Sequence, residues 1–444
     1  MSTRMHVRMS RREVLKLGLA GVGALASVTF TPRGARAQAG AKGPVVIWCE
    51  ASFVKEVDEL MAATFKEWGS KNGWAVDYQV IPPPPESLQR LTAAIQAKQP
   101  PDADHLFEGD LQYYRAQGLL EDVSNVINAI KGFEGGLFES GLLGVGFEGK
   151  YFGMPYSLTP WIMHTRTDLL KAAGVEYPKT WTDLIAISPK VSKPPQVYTF
   201  AMCLGDAEDT MNNFCQIMWG YGGQLQNKEG ALTFKSKGTL EAIRVVKEMY
   251  DKKVIPPGAT TWDASGNNKA YQSRQTVFSL NPNTIYAWLE INDKPLAEVT
   301  GMYGVPAGPA GAFDMIDVRS FVVFRDGKNP GAAKEALRYF AEPGNYEKVI
   351  IASRNRFTPI YKNLLNRPLW AGAAYTQYKE IMKNGRIRAF AGPPNPALGE
   401  VGNTWVVSHM LQEVCAGSKS PEKAMNDAYD QMATIYKKWK VPIA

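Results

Sequence analysis

From residue 44 onward, short uncharged runs rich in β-branched side chains alternate with longer stretches in which apolar residues recur every three or four positions. Pro44-Val45-Val46-Ile47-Trp48 is too short for a helix and has no charge, which predicts a buried strand opening a sheet. Phe53, Val57, Leu60, Phe65 and Trp68 then fall near helical spacing, with Ser52 as N-cap and Gly69 as the stop. The order repeats: residues 76–81 read as a strand, 82–85 as a stiff proline turn and 87–97 as a helix. Such alternation predicts a parallel sheet flanked by helices.

Two shifts in pattern break this alternation. Residues 144–156, Gly-Val-Gly-Phe-Glu-Gly-Lys-Tyr-Phe-Gly-Met-Pro-Tyr, read as a hairpin leading into a long strand, and 306–311 read Pro-Ala-Gly-Pro-Ala-Gly. Both mark places where the chain crosses between domains. Between them, residues 236–251 place Leu240, Ile243, Val246 and Met249 on one helical stripe, which is core packing. At 444 residues the chain exceeds the ~250–300 at which single cores stop growing, so two domains are expected. A content of 45% hydrophobic and 21% charged residues excludes a disordered chain.

The formal charge of +7 invites a nucleic-acid partner until it is located. Seven bases against the single acid Glu13 lie in residues 1–37, and what remains is nearly neutral with no basic block. That first segment has a basic start, an apolar middle over residues 15–30 and Ala35-Arg36-Ala37 as a small-x-small cleavage site. It reads as a removable export signal. Ser10-Arg11-Arg12-Glu13-Val14-Leu15-Lys16 resembles the twin-arginine motif, and the late charges Arg33 and Arg36 suit that route better than the general one. A periplasmic protein with twin-arginine export machinery as a partner, and no nucleic acid, is the expectation. Cys49, Cys203, Cys215 and Cys415 form no C-x-x-C pair; Cys203 and Cys215 are open to bridging or to packing as buried thiols.

Little catalytic chemistry is on offer. His105, His164 and His409 are widely spaced, so no metal site is expected, and no nucleophile elbow, phosphate loop or dinucleotide fingerprint is present, so no cofactor is expected either. Aromatic residues are abundant near turns and strand ends, including Trp48, Tyr156, Trp161, Trp219 and Trp405. Flat rings together with Asp, Glu, Asn and Arg are what a carbohydrate needs, since it offers apolar C–H faces and a rim of hydroxyls. Each aromatic taken singly fits a core role as well.

The order of segments resembles the extracellular solute-binding proteins of ABC importers, the family that includes the maltodextrin-binding proteins. The likeness is carried by Val46-Ile47-Trp48-Cys49-Glu50, by residues 91–102 ending in Pro100-Pro101-Asp102, and by Tyr114-Arg115-Ala116-Gln117-Gly118-Leu119-Leu120. Its most specific part is Gly149-Lys150-Tyr151-Phe152-Gly153-Met154-Pro155-Tyr156, followed by Asp168-Leu169-Leu170 and by Pro178-Lys179-Thr180-Trp181. Arg166-Thr167 departs from the family's usual Tyr-Asn there.

The resemblance implies a two-lobed α/β periplasmic binding protein of the class II kind, with ligand in the inter-lobe cleft. It implies a first lobe of residues 44–158 and 306–358 and a second of 159–305 and 359–444. It also implies ABC permease subunits as partners and capture of a solute without bond chemistry. Carried over position by position, the implied ligand-binding residues are Trp48, Glu50 and Ser52 after the first strand, and Glu108 and Asp110 after the next. Thr159 and Trp161 lie past the first crossing, Asn281 and Asn283 in a later loop, Arg319 before a strand at 321–324, and Trp405 ahead of the last helices. The family's usual stacking Trp is replaced in that later loop by Thr284.

A sugar or polyol is the leading ligand. A phosphorylated polyol, organic anion or polyamine on the same fold is the second reading. An exported glycan-processing enzyme is the third.

Overall fold

The computed structural model describes residues 42–52, 54–84, 86–372 and 375–444. The export signal expected at 1–37 lies outside them. The described residues form ten strands: β1 Lys42–Glu50, β2 Trp74–Ile81, β3 Ala103–Phe107, β4 Gly146–Phe147, β5 Lys150–Tyr151, β6 Met154–Arg166, β7 Tyr198–Ala201, β8 Thr276–Pro282, β9 Thr300–Tyr303 and β10 Ile316–Val323. Helices fill the intervals and cover the sheet faces, which makes an α/β architecture. β4 and β5 form the separate hairpin expected over 144–151, while the other eight strands join in the order β2-β1-β3-β10-β6-β8-β7, with β9 also on β6.

The sheet is mixed rather than parallel throughout. β1 is parallel to β2 and β3, as the strand-helix alternation predicts, but β10 is antiparallel to β3 and to β6, and β8 is antiparallel to β6. The cause is β6, which runs for 13 residues, all buried, and changes partners midway. From Met154 to Pro160 it pairs with β10; from Trp161 onward it pairs with β8, and from Met163 with β9. A strand shared in this way is a bridge between two half-sheets, and β10 returns alongside it.

Local boundaries follow from the packing. The first helix begins at Lys55 after Val54, later than an N-cap at Ser52 would start it, and runs through Gly69 to Asn72. Gly69 is needed inside the helix, because a Cβ there would lie 2.6 Å from the Trp74 carbonyl oxygen of β2. The stop is Gly73 at φ 70, the left-handed C-cap that glycine adopts at low cost. The strand expected at 321–324 begins at Ile316 instead. Asp317 and Arg319 interrupt its apolar run, and both are buried because each has a polar partner within the fold. Residues 306–311 do not form the return strand: Ala307 N bonds the Lys179 carbonyl, Trp181 N bonds the Ala307 carbonyl and Ala310 N bonds the Gly220 carbonyl. All four cysteines are free, buried thiols.

Phe65 illustrates how the first half-sheet is held. Its ring stacks between Tyr78 at 5.6 Å and Phe340 at 5.1 Å and meets Phe321 edge-on at 5.7 Å. Replacing Phe65 by Ala removes all three contacts and leaves a cavity that this rigid ring cluster cannot close. A loss of about 3–5 kcal/mol is expected from urea unfolding of the mature chain. A loss below about 1 kcal/mol would mean the cluster is not a structural centre.

Candidate functional site

The C-terminal ends of β1 and β3 and the crossing of β6 with β10 bring most of the expected polar residues to one buried region. Asp317 of β10 is the register partner of Thr159, and Arg319 is the partner of Phe107. Asp317 and Arg319 stand two residues apart and so share one face of the strand. This puts an acid and a base of the return strand beside the end of β1 and the start of the helix Glu108–Ala116.

Around Arg319 the charges pair closely. Its Nη1 lies 3.4 Å from Glu50 Oε1 and its guanidinium stands 4.7 Å over the Phe107 ring. Glu50 also meets His105 Nε2 at 3.3 Å, and His105 Nδ1 meets the Tyr156 hydroxyl at 3.0 Å. Burial works against the Glu50 carboxylate, but Arg319, His105 and Arg356 together outweigh it and the group is held down to about 2. Burial pushes His105 down despite Glu50, so the imidazole is neutral and Arg319 is the cation that matters. Arg356 is buried here and donates from Nε to the Ser52 carbonyl at 2.9 Å.

A second group centres on Arg388. Its Nη2 lies 3.3 Å from Glu208 Oε1 and 4.0 Å from Asp317 Oδ1, and its Nε donates to Asn212 Oδ1 at 2.9 Å. Two helices, Glu108–Ala116 and Glu208–Gly220, aim acidic first turns at it without side-chain caps of their own. Helix N-termini favour negative charge, which explains why carboxylates sit there. Glu108 Oε2 accepts from Val318 N at 3.2 Å, Asp110 Oδ1 accepts from Asn403 Nδ2 at 2.8 Å, and Trp161 Nε1 donates to Asp317 Oδ2 at 2.7 Å. Burial, reinforced by Glu108 and Glu208, pushes Asp317 up to about 8, and burial with Glu208 pushes Asp110 up to about 7.

Not every expected residue joins these groups. Ser52 is buried but spends its hydroxyl on the Val54 carbonyl at 2.8 Å. Trp48 lies in the core under the Arg90 guanidinium, which stands 4.0 Å above its ring. Asn281 belongs to a side network with Asn267, Asn268 and Thr284, which reaches Asp209 through Asn267. Asn283 donates to the Asn355 carbonyl at 2.9 Å. Trp405 is half-buried and takes φ 54, a left-handed conformation that a bulky side chain adopts only when its surroundings impose it. Sequence reasoning missed Asp317, Glu208, Asn212, Asn403 and Arg388. Asp317 alone carried a signal, as a charge in alternation with Arg319 on a strand otherwise apolar.

The helix Pro396–Asn403 presses directly on Glu108–Ala116. Gly109 and Gly399 face each other so closely that a Cβ on Gly399 would lie 2.2 Å from the Gly109 carbonyl oxygen.

This arrangement of two half-sheets with polar strand ends facing each other has known counterparts. Residues 61–383 match the bacterial extracellular solute-binding protein family, and the chain belongs to it. Its relatives include a Brucella abortus binding protein, 24% identical over 370 residues, covering 82% of this chain and 87% of the relative. The maltodextrin-binding protein MdxE of Bacillus subtilis is 24% identical over 304 residues, covering 63% and 66%. Among solved structures, an ABC transporter solute-binding protein of Thermotoga lettingae bound with α-D-tagatose superposes with TM-score 0.79 at 18% identity, covering 89% of this chain and all of that one. One from Agrobacterium radiobacter in complex with ribitol gives 0.78 at 16%, covering 89% and 99%. The fold is the two-lobed α/β fold of periplasmic binding proteins, and the chain is an ABC-transporter solute-binding protein.

The buried carboxylates set a pH dependence. Asp317 at about 8 lies above its unfolded value of 3.8, so across that window the folded chain binds more protons than the unfolded one. Stability contributed by this group is therefore complete below the unfolded value and is lost as pH rises through the folded one. Asp110 acts in the same sense. His164, pushed down by burial to about 4, works the opposite way below 6.5, so the variant comparison is the cleaner measurement. Asp317→Asn retains an acceptor for Trp161 and should be more stable than the parent at about pH 8, by at least ~1 kcal/mol, with the gap narrowing steadily as pH falls toward about 5. Equal melting curves at both values would show that Asp317 is not held protonated.

Proposed function

We propose that the protein captures a carbohydrate or related polyol between its two lobes and hands it unaltered to ABC permease subunits in the inner membrane. The observation that carries this reading is a set of buried polar atoms without hydrogen-bond partners among the described residues: Glu108 Oε1, Thr159 Oγ1, Asn212 Nδ2, Asp317 Oδ1 and Arg319 Nε. Burying such atoms unpaired is costly, and a solute rimmed by hydroxyls supplies both donors and acceptors. The ligands of the solved relatives, tagatose and ribitol, are of this kind. An anionic solute is disfavoured, because Arg319 and Arg388 already face Glu50 and Glu208.

In this reading Glu50, Glu108, Asp110, Thr159, Trp161 and Arg319 serve the cleft, and Trp405 offers a stacking face at its edge, its left-handed backbone supporting a functional placement. The lobes follow the partition 44–158 with 306–358 and 159–305 with 359–444. We move the return crossing to about Met315, since residues 306–311 bond to Lys179, Trp181 and Gly220. The chain performs no catalysis, and residues 1–37 carry it to the periplasm by the twin-arginine route.

A thermal-shift screen of sugars and polyols tests the ligand class, since a ligand that binds only the folded state raises its melting temperature. No response from any of them would end this reading. Trp405→Ala should weaken the best ligand at least tenfold without lowering the melting temperature of the free protein. Gly399→Ala should weaken it as well by holding the two helices apart, an effect read as larger dimensions in X-ray scattering with ligand present; unchanged dimensions and affinity would show that the Gly109 contact is not part of closure.

A further inference from the structure

The charges buried at the cleft divide into one balanced group and one that is not. In the first, Glu50 and Asp58 face Arg319 and Arg356. In the second, Glu108, Asp110, Glu208 and Asp317 gather around Arg388, with only Asp317 also acting on Arg319 of the first group. The N-termini of the two helices that begin at Glu108 and Glu208 each act as ~0.5 of a positive charge, so together they offset about one carboxylate of the surplus. Glu108 and Asp317 are 2% and 3% exposed, too little for water to screen them.

Their placement is specific. Glu108 holds its Oε2 on the amide of the Asp317–Val318 peptide, which leaves Oε1 without a partner among the described residues, and its charge acts on Asp317. Asp317 holds Oδ2 on Trp161 and leaves Oδ1 without a hydrogen bond, 4.0 Å from Arg388. Asn212 Nδ2 and Thr159 Oγ1, both fully buried, lack partners at the same place: Asn212 through its bond to Arg388, Thr159 as the register partner of Asp317. Among the described residues no group of three or more Asp, Glu, His and Cys is arranged to hold a metal ion. What fits is a cation that donates hydrogen bonds in several directions, with neutral polar groups around it.

Building on the carbohydrate reading above, we propose that the solute carries a protonated amine as well as hydroxyls, the chemical class of amino sugars and amino polyols, with its ammonium group between Glu108 Oε1 and Asp317 Oδ1. Arg388 then keeps Glu208 and Asn212, while Thr159 and the free amide hydrogens of Asn212 face the solute's hydroxyls. An ammonium beside a partly protonated carboxylate favours its ionised form, so binding expels a proton.

Isothermal titration with three matched sets tests this: glucose, galactose and mannose, each against its 2-amino and 2-acetamido derivative, in two buffers of different ionisation enthalpy. The expected result is that an amine binds at least tenfold tighter than its neutral and acetylated partners and releases protons, while the neutral sugars do not. Glu108→Gln and Asp317→Asn, checked for folding by circular dichroism, should each collapse that preference toward unity. A neutral sugar binding as tightly as its amine would overturn the proposal and leave the carbohydrate reading standing. Putrescine, an amine without hydroxyls, binding more tightly than every sugar would overturn both. Silence from all three amines would overturn the amine assignment, and the wider sugar and polyol screen would then decide the other.

Discussion

Where β6 changes partners, the indole of Trp161 donates to Asp317 across the crossing, and the rest of the site depends on that bond. It ties the outgoing strand to the returning one at the point where they pass between half-sheets. Burying Asp317 in β10 is costly, because a carboxyl removed from water loses its hydrogen bonds to solvent, and the indole restores one of them. Once Asp317 is held, the alternation of the strand sets Arg319 on the same face, and Arg319 in turn holds Glu50 at the end of β1. The strand crossing and the buried polar groups are thus built from the same few residues.

This has an energetic consequence. Buried ion pairs seldom stabilise a fold better than apolar side chains of the same volume would. Here several acids and bases are gathered where a conventional core would be simpler, and some of their polar atoms, such as Glu108 Oε1 and Asp317 Oδ1, have no hydrogen-bond partner among the described residues. A chain selected for stability alone has no reason to keep this arrangement. A chain that must shut around a polar guest does, because the guest completes the hydrogen bonds and the shut form becomes favourable only when the guest is there. The close approach of Gly109 to Gly399 belongs to the same logic: two glycines let backbones meet where side chains would hold the helices apart.

Much of the frame was legible in the sequence because its signals are local. β1, the helix that follows it, the hairpin and the long strand all announce themselves within a dozen residues, and the family likeness rests on those same stretches. Glu50, Glu108, Asp110, Thr159, Trp161 and Arg319 do meet in space, since each lies at the end of an element or on a crossing strand. Arg388 was not legible, and Asp317 only as a charge alternating with Arg319, for a physical reason. Their partners are remote, as with Trp161 and Asp317, 156 positions apart, or Arg388 and Asn212, 176 apart. Ser52 misled in the opposite direction: a polar residue after a strand looks like a ligand contact, yet its hydroxyl closes a turn onto Val54.

The two charge groups differ in what they can tolerate, and that difference assigns them different work. Around Arg319 each carboxylate has a guanidinium to face, so the charges balance and the group acts as scaffold, with Arg356 clamping the Ser52 carbonyl and Tyr156 orienting His105. Around Arg388 the acids outnumber the base, and burial raises their proton affinity instead of being compensated. An incomplete group is the one whose energy changes most when a partner arrives, because a first counter-charge in a dry site gains more than an additional one. In the proposed reading, affinity and selectivity reside with Glu108, Asp317 and Arg388, while the shape that lets a solute reach them resides with Glu50, Arg319 and the crossing strands.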